Sequence, residues 1–264
     1  MAENQSSLLS AAKFDQNYNS QYSYIAKVGY PMGMMYGFIY EGTYKYEDFD
    51  KVGDTYTLKR NVPYFSSESN TQPGMPKYAD LNGDGIIDDN DRTMIGNGMP
   101  KHTGGFTNNF EYKGFDLSIF FQWSYGNDVL NANRLFFENS NKTRDLNQYA
   151  SYADRWTPEN PESNIPRATD SGSNKVFSTR IIEDGSFLRL KTVSLGYTLP
   201  KQLTKKWKID NARVFVAGQN LWTCTGYSGY DPEVSIREGA LTPGLDFSAY
   251  PRAYSISFGI NLGF

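Results

Sequence analysis

The residues with the sharpest chemistry form one short run of oxygen donors. In Asp80-Leu81-Asn82-Gly83-Asp84-Gly85-Ile86-Ile87-Asp88-Asp89-Asn90-Asp91, the acidic and amide side chains of Asp80, Asn82 and Asp84 alternate with other residues. Gly85 stands sixth, Ile86 seventh, Asp88 ninth and Asp91 twelfth. Calcium takes about six to eight hard oxygen ligands in flexible geometry, and a loop of this spacing supplies them. Ile86 would donate its carbonyl, Asp88 would act through water, and Gly85 would make the sharp turn. The EF-hand pattern asks for Glu at the twelfth position, and Asp91 is one methylene shorter. The expected cofactor is therefore a structural Ca²⁺ that staples residues 78–94. The other reading is a run of Asn, Asp and Gly turns, whose side chains bond their own backbone and need no metal.

A second group of residues suits recognition rather than catalysis. Tyr149, Tyr152, Trp156, Tyr227 and Tyr230 fall in segments expected to be loops. Aromatic faces among Asn, Asp and Arg suit sugar rings, so Trp156, Tyr227 and Tyr230 are the candidate ligand contacts. Packing of the loops onto themselves is the alternative. No enzyme is expected. The single His102 excludes any site needing two imidazoles, and no nucleophile elbow surrounds a serine. One cysteine, Cys224, excludes an intrachain disulfide, and a net charge of −3 gives no electrostatic case for nucleic acid.

These residues need a scaffold, and the hydrophobic pattern makes it all-β. Tyr254 to Phe264 alternates large apolar residues with Ser, Gly and Asn to the final Phe. Side chains alternate faces along a strand, so one face is greasy and the other small and polar. Thr103 to Tyr125 reads as a hairpin with its turn at Lys113-Gly114. Phe115, Leu117, Ile119, Phe121, Trp123 and Tyr125 share one face, against Asp116, Ser118, Phe120, Gln122 and Ser124. Eleven residues match the roughly 9–11 of a membrane-crossing strand. Ser186 to Leu199 is a strand in which Leu188 and Leu190 switch face, which implies a bulge or the end of the membrane zone. Ala212 to Trp222 alternates weakly. Tyr24–Val28, Met34–Tyr40, Asp54–Arg60 and Lys175–Ile182 are further candidate strands, and Leu130–Asn139 a short helix. Residues 1–20 are expected to be poorly ordered.

The connections alternate in length: 61–102 long, 113–114 short, 126–176 long, 200–210 short and basic, 223–249 long. Outer-membrane barrels alternate short periplasmic turns with long extracellular loops. The expected fold is an antiparallel transmembrane β-barrel of which this chain supplies roughly eight to ten strands, with the aspartate loop outside the cell. Met1 to Ser10 has neither the basic nor the apolar region of a secretory signal, and a barrel of so few strands has its interior filled. Both point to the C-terminal part of a larger barrel.

Several segments together resemble one family. They are Asp80 to Asp88, Ile95-Gly-Asn-Gly-Met-Pro100, Thr103-Gly-Gly-Phe106, Phe115 to Asp128, Asp154-Arg-Trp-Thr-Pro158, Gly185 to Lys191, Leu195 to Pro200, Gly218-Gln-Asn-Leu221, Gly229-Tyr-Asp-Pro-Glu233 and the terminal Phe264. They are similar to the C-terminal region of SusC/RagA-type TonB-dependent outer-membrane transporters of Bacteroidetes. The resemblance implies a 22-stranded barrel with an N-terminal plug, energised through a TonB box. It also implies a SusD-like surface lipoprotein as partner and glycan or peptide as cargo. The terminal aromatic residue resembles the signal read by barrel-assembly machinery, and the aspartate run resembles dockerin-like loops. Plug, TonB box and first barrel strands fall outside the matched motifs, so contact with the TonB complex is expected through a missing N-terminal part. A siderophore receptor would differ only in cargo. The competing class is a soluble, calcium-stapled β-sandwich that binds carbohydrate.

Overall fold

The computed structural model describes residues 23–139, 147–169, 176–236 and 239–264, and the backbone of 8–12. The expectation of poor order over residues 1–20 lies outside the described residues, apart from a strand at Leu8–Ala12. The chain divides into two compact units.

The first unit comprises residues 100–127, 184–234 and 250–264. It is one antiparallel sheet of β1 (His102–Tyr112), β2 (Phe115–Tyr125), β3 (Phe187–Thr198), β4 (Asn211–Thr225) and β5 (Ser255–Gly263), paired in that order. The strands run 11, 11, 12, 15 and 9 residues, against about 5–6 in an ordinary sheet. Residues directly opposite in an antiparallel pair share a face, so the register fixes both surfaces. One face carries the rows Tyr112–Phe115–Tyr197–Val214–Ile260 and Phe110–Leu117–Leu195–Val216–Phe258. Between them on the other face run Glu111–Asp116–Gly196–Phe215–Gly259 and Asn109–Ser118–Ser194–Ala217–Ser257. The apolar rows are open, with Phe258 at 81% and Phe110 at 58% exposure. A soluble sandwich would cover them.

The bulge expected in β3 is present. Phe120 faces Thr192 while Phe121 faces Leu190, which leaves Lys191 as the extra residue. One added residue returns Leu188 and Leu190 to the apolar face. The register between β3 and β4 shifts at the same place, and Asn220 there takes φ +51°. Across that shift β4 itself keeps one phase, with Val214, Val216, Gly218 and Trp222 all on the apolar face, and Ala212–Trp222 alternates weakly in sequence because Gly218 adds no bulk to that face while Phe215 lies on the other. The β1–β2 turn is Lys113-Gly114 with φ +47° and +87°, the pair of positive angles a two-residue hairpin turn requires.

Long strands number five among the described residues, fewer than the eight to ten expected, and β1 and β5 stand at the two edges of an open sheet. The shortfall lies in the second unit, residues 1–99, 128–183 and 235–249. Its strands are two to five residues long, such as Tyr24–Lys27, Met34–Gly37, Tyr40–Thr43 and Thr55–Leu58. Pro31 and glycines at positive φ (Gly29, Gly33 and Gly53) lie between these short strands. The helix expected at 130–139 is shorter, Asn133–Phe137, because Asp128–Asn131 is a strand that pairs parallel with Leu245–Asp246. Lys175 lies outside the described residues. Phe177 and Ile181, both buried in the core, are carried by an isolated bridge at Ser178 and a helical turn over Thr179–Ile181, not by the strand expected there. Three buried clusters hold this unit together. Tyr24, Met35, Leu130, Phe136 and Phe177 form part of one, Phe38, Tyr78 and Ile87 of another, and Tyr44, Phe49 and Leu58 of a third.

Candidate functional site

The aspartate loop folds around its own side chains. Gly83 and Gly85 take φ +77° and +84°, backbone that costs glycine little. Their N–H groups donate to the two oxygens of Asp80 at 2.7 and 2.8 Å. Asp84 N–H donates to Asn82 Oδ1 (2.9 Å) and Ile86 N–H to Asp84 Oδ1 (2.8 Å). Asn90 N–H donates to Asp88 Oδ1 at 2.7 Å. Asp91, fully buried, accepts from Leu81 N–H at 2.8 Å and Asp88 N–H at 2.8 Å. It therefore ties the loop's start to its end. Among the described residues no three His, Cys, Asp or Glu side chains are grouped to share a metal ion. The donors remain chemically suited to Ca²⁺, since a carboxylate oxygen that accepts one N–H keeps a further lone-pair site. Ile86–Ile87 pairs parallel with Tyr64–Phe65, and buried Ile87 anchors the loop to the core.

In the sheet unit, the polar face carries charges in pairs. Asp116 and Arg213 form a bidentate pair, with Arg213 Nε donating to Asp116 Oδ1 at 2.8 Å and Nη2 to Oδ2. The pair crosses Gly196, where any Cβ would collide with both partners. Arg189 is 2% exposed. It donates to Asp231 Oδ1 (2.6 Å), Glu233 Oε2 (3.1 Å) and Thr223 Oγ1 (3.0 Å). Arg252 adds a contact to Glu233 at 3.1 Å, and its N–H donates to Asp231 Oδ2 at 3.2 Å. Burial pushes the Asp231 carboxyl up, but the Glu233 amide and the Arg189 guanidinium outweigh it and hold the group below the usual carboxylate range. This network fastens the connection after β4 to the strand wall.

The three aromatic ligand candidates are not alike. Trp156 is 5% exposed in the core of the second unit, with the Tyr46 ring at 5.5 Å and Arg167 over its face at 5.6 Å. Tyr152 is buried beside it in sequence. Tyr227 is buried in the sheet unit, and Tyr230 is 85% exposed. Of the three, Tyr230 alone presents its ring to solvent. His102 opens β1, stacks on Tyr125 and accepts from Trp123 Nε1 at 3.1 Å.

Sequence reasoning missed two charge clusters. The first is the Arg189 network. Its signal is an arginine on the polar side of β3 and two acids in the Asp231-Pro-Glu233 turn. The second is in the other unit, where buried Glu138 accepts from Ser151 Oγ (2.6 Å), Arg180 Nη2 (2.8 Å) and Arg134 Nε (3.0 Å). Burial pushes Glu138 up, and these three donors more than reverse it.

No protein-family model matches the chain. Individual relatives do. It is 34% identical over 247 residues, 91% of its length, to "TonB-dependent receptor P3" of Formosa agariphila, and 39% identical over 197 residues to "TonB-dependent receptor P26" of the same organism. It is 28% identical over 198 residues to "TonB-dependent receptor SusC" of Bacteroides thetaiotaomicron. It spans only 23%, 20% and 18% of those three proteins. Among solved structures, the RagAB peptide transporter superimposes with a TM-score of 0.68 at 26% identity, over 92% of this chain and 24% of that one. The RagAB peptide importer in its "closed-closed" state gives 0.67 at 27% identity.

Proposed function

Over most of its length the chain is of the SusC/RagA type among TonB-dependent receptors, and from that premise we propose that it forms part of the wall of an outer-membrane nutrient importer. The observation that carries this reading is the five-stranded sheet with one open apolar face and one polar face. Lipid would take the first and a water-filled interior the second. The short connections would lie at the periplasmic side and the long ones outside. The cargo would be an oligomer, glycan or peptide, captured with a SusD-like lipoprotein, and the energy would come through the TonB complex. The peptide named for the RagAB structures supports peptide.

The test is uptake. A strain lacking the gene should lose uptake of one class, oligosaccharide or peptide, and recover it on complementation. Unchanged uptake of both would overturn the reading. Pull-down of the receptor from solubilised outer membranes should bring a surface lipoprotein with it.

We also propose that Ca²⁺ stiffens residues 78–94 through Asp80, Asn82, Asp84, Ile86, Asp88 and Asp91. Millimolar Ca²⁺ should slow proteolysis within this loop, and Asp80→Ala should abolish that protection. Identical cleavage with Ca²⁺ and with chelator would leave the loop a metal-free turn. Tyr230 is the aromatic residue we propose for ligand contact, since Trp156 and Tyr227 are buried.

A further inference from the structure

The connection between β3 and β4 carries a group of charges that neither the wall nor the cargo explains. Lys201, Lys205, Lys206 and Lys208 are all exposed, and among the described residues none of them has an ion-pair partner. They sit on two short helical segments, Lys201–Thr204 and Lys205–Trp207. Thr204, 1% exposed, pins the segment down, with Ile209 N–H donating to its carbonyl at 3.3 Å. Between the lysines, Leu203 and Trp207 stand 51% and 67% exposed, four residues apart. Lys208 at φ +58° then turns the chain back into β4. The only acid in the connection is Asp210 at its end.

The position matters as much as the composition. Thr198 N–H donates to Gly114 carbonyl at 2.7 Å, and Asp210 N–H to Gly263 carbonyl at 2.8 Å. The basic connector therefore sits at the same end of the sheet as the Lys113-Gly114 turn, where the apolar rows finish at Tyr112, Phe115 and Leu262. Two exposed apolar side chains flanked by uncompensated lysines, at the end of the sheet where the apolar rows finish, match the boundary of a bilayer. Trp favours that boundary, and lysines there gain from anionic headgroups.

We propose that this connector is an anchor for anionic phospholipid headgroups, with Trp207 and Leu203 in the interfacial layer and the four lysines on the lipid phosphates. The proposal rests on the sheet spanning a bilayer, which the test reports separately. The protein is reconstituted into phosphatidylcholine vesicles containing equal amounts of phosphatidylglycerol, with the bromine label on one lipid or the other. Quenching of Trp207 is read as the difference between the protein and its Trp207→Phe variant. The association constant for the glycerol lipid should exceed that for the choline lipid by about fivefold or more, the contribution of one lysine at an anionic surface. The ratio should fall to about one in roughly 1 M salt, where screening reaches about 3 Å. It should fall likewise in the variant with all four lysines changed to Gln. A ratio of one in the unmodified protein, or no quenching of Trp207 by either lipid, overturns the anchor. Trp123 and Trp222 lie on the apolar face, opposite Leu188 and Leu190. If they too escape quenching, the bilayer-spanning reading has failed and the anchor with it. If they are quenched and Trp207 is not, only the anchor fails.

Discussion

The two units solve the burial problem in opposite ways. The second unit hides its large side chains: Tyr24, Met35, Phe38 and Phe177 are each at most 1% exposed. The sheet unit does the reverse. Its apolar rows lie open, its serines with Gly196 and Gly259 lie on the other face, and its buried residues include the charged Arg189 and Asp231. The same residue types are present in both, so composition does not separate them. Strand length and phase do. A five-residue strand cannot hold a face long enough to cross a bilayer, whereas strands of 9 to 15 residues can. The second unit covers its apolar side chains with its own core, and the sheet leaves one apolar face open.

That contrast breaks first at the residues most deeply committed to it. Phe177→Ala should destabilise the second unit by about 3–5 kcal/mol, the cost of truncating a fully buried aromatic side chain, read by urea unfolding. Arg189→Ala in the sheet unit should cost about as much, because it leaves the buried Asp231 carboxylate without its guanidinium partner. Equal stability of Arg189→Ala and the parent would mean that the network is solvated. The next effect sharpens the two-faced character of the sheet. Ile119→Arg, on the apolar face near mid-strand, should cost about 2–4 kcal/mol of folding in lipid vesicles. Ser118→Arg, one residue away on the polar face, should cost under about 0.5 kcal/mol. If both positions accept arginine equally, the apolar face does not meet lipid.

Much of the sheet was legible because its chemistry is local and periodic. The β1–β2 hairpin, its turn at Lys113-Gly114 and the terminal strand follow from alternation and turn residues alone. The bulge at Lys191 was legible as a change of phase, though not its consequence in β4, since a register shift belongs to a pair of strands. The second unit resisted. Its short strands are set by which aromatic residues meet in the core. Phe38 pairs with Phe65 and Tyr78, contacts that no window of sequence contains. Trp156 illustrates the same limit: it looked like a ligand-stacking ring, and the contacts that bury it come from Tyr46 and Arg167. Of the aspartate loop, the turns in which Asn and Asp side chains bond their own backbone were legible, but the part Asp91 plays was not. Its role in joining Leu81 to Asp88 needed coordinates.

The smallest effect separates the units by pH. Glu138 belongs to the second unit, is buried, and is held below the ordinary carboxylate range by Ser151, Arg134 and Arg180 against the pull of burial. A group whose folded value is depressed stabilises the protein above its unfolded value and loses that contribution as pH falls through the folded value. Glu138→Gln keeps the shape and removes the charge, so it should cost about 1–3 kcal/mol at neutral pH. The difference between parent and variant should then close as pH drops below about 4.3, the unfolded value of a glutamate. Unfolding of the second unit, followed through its core aromatics from neutral pH to acid, measures the gap. A gap that stays constant through that range would mean that the arginines do not sense the charge on Glu138, and that the second unit owes its stability to apolar burial alone.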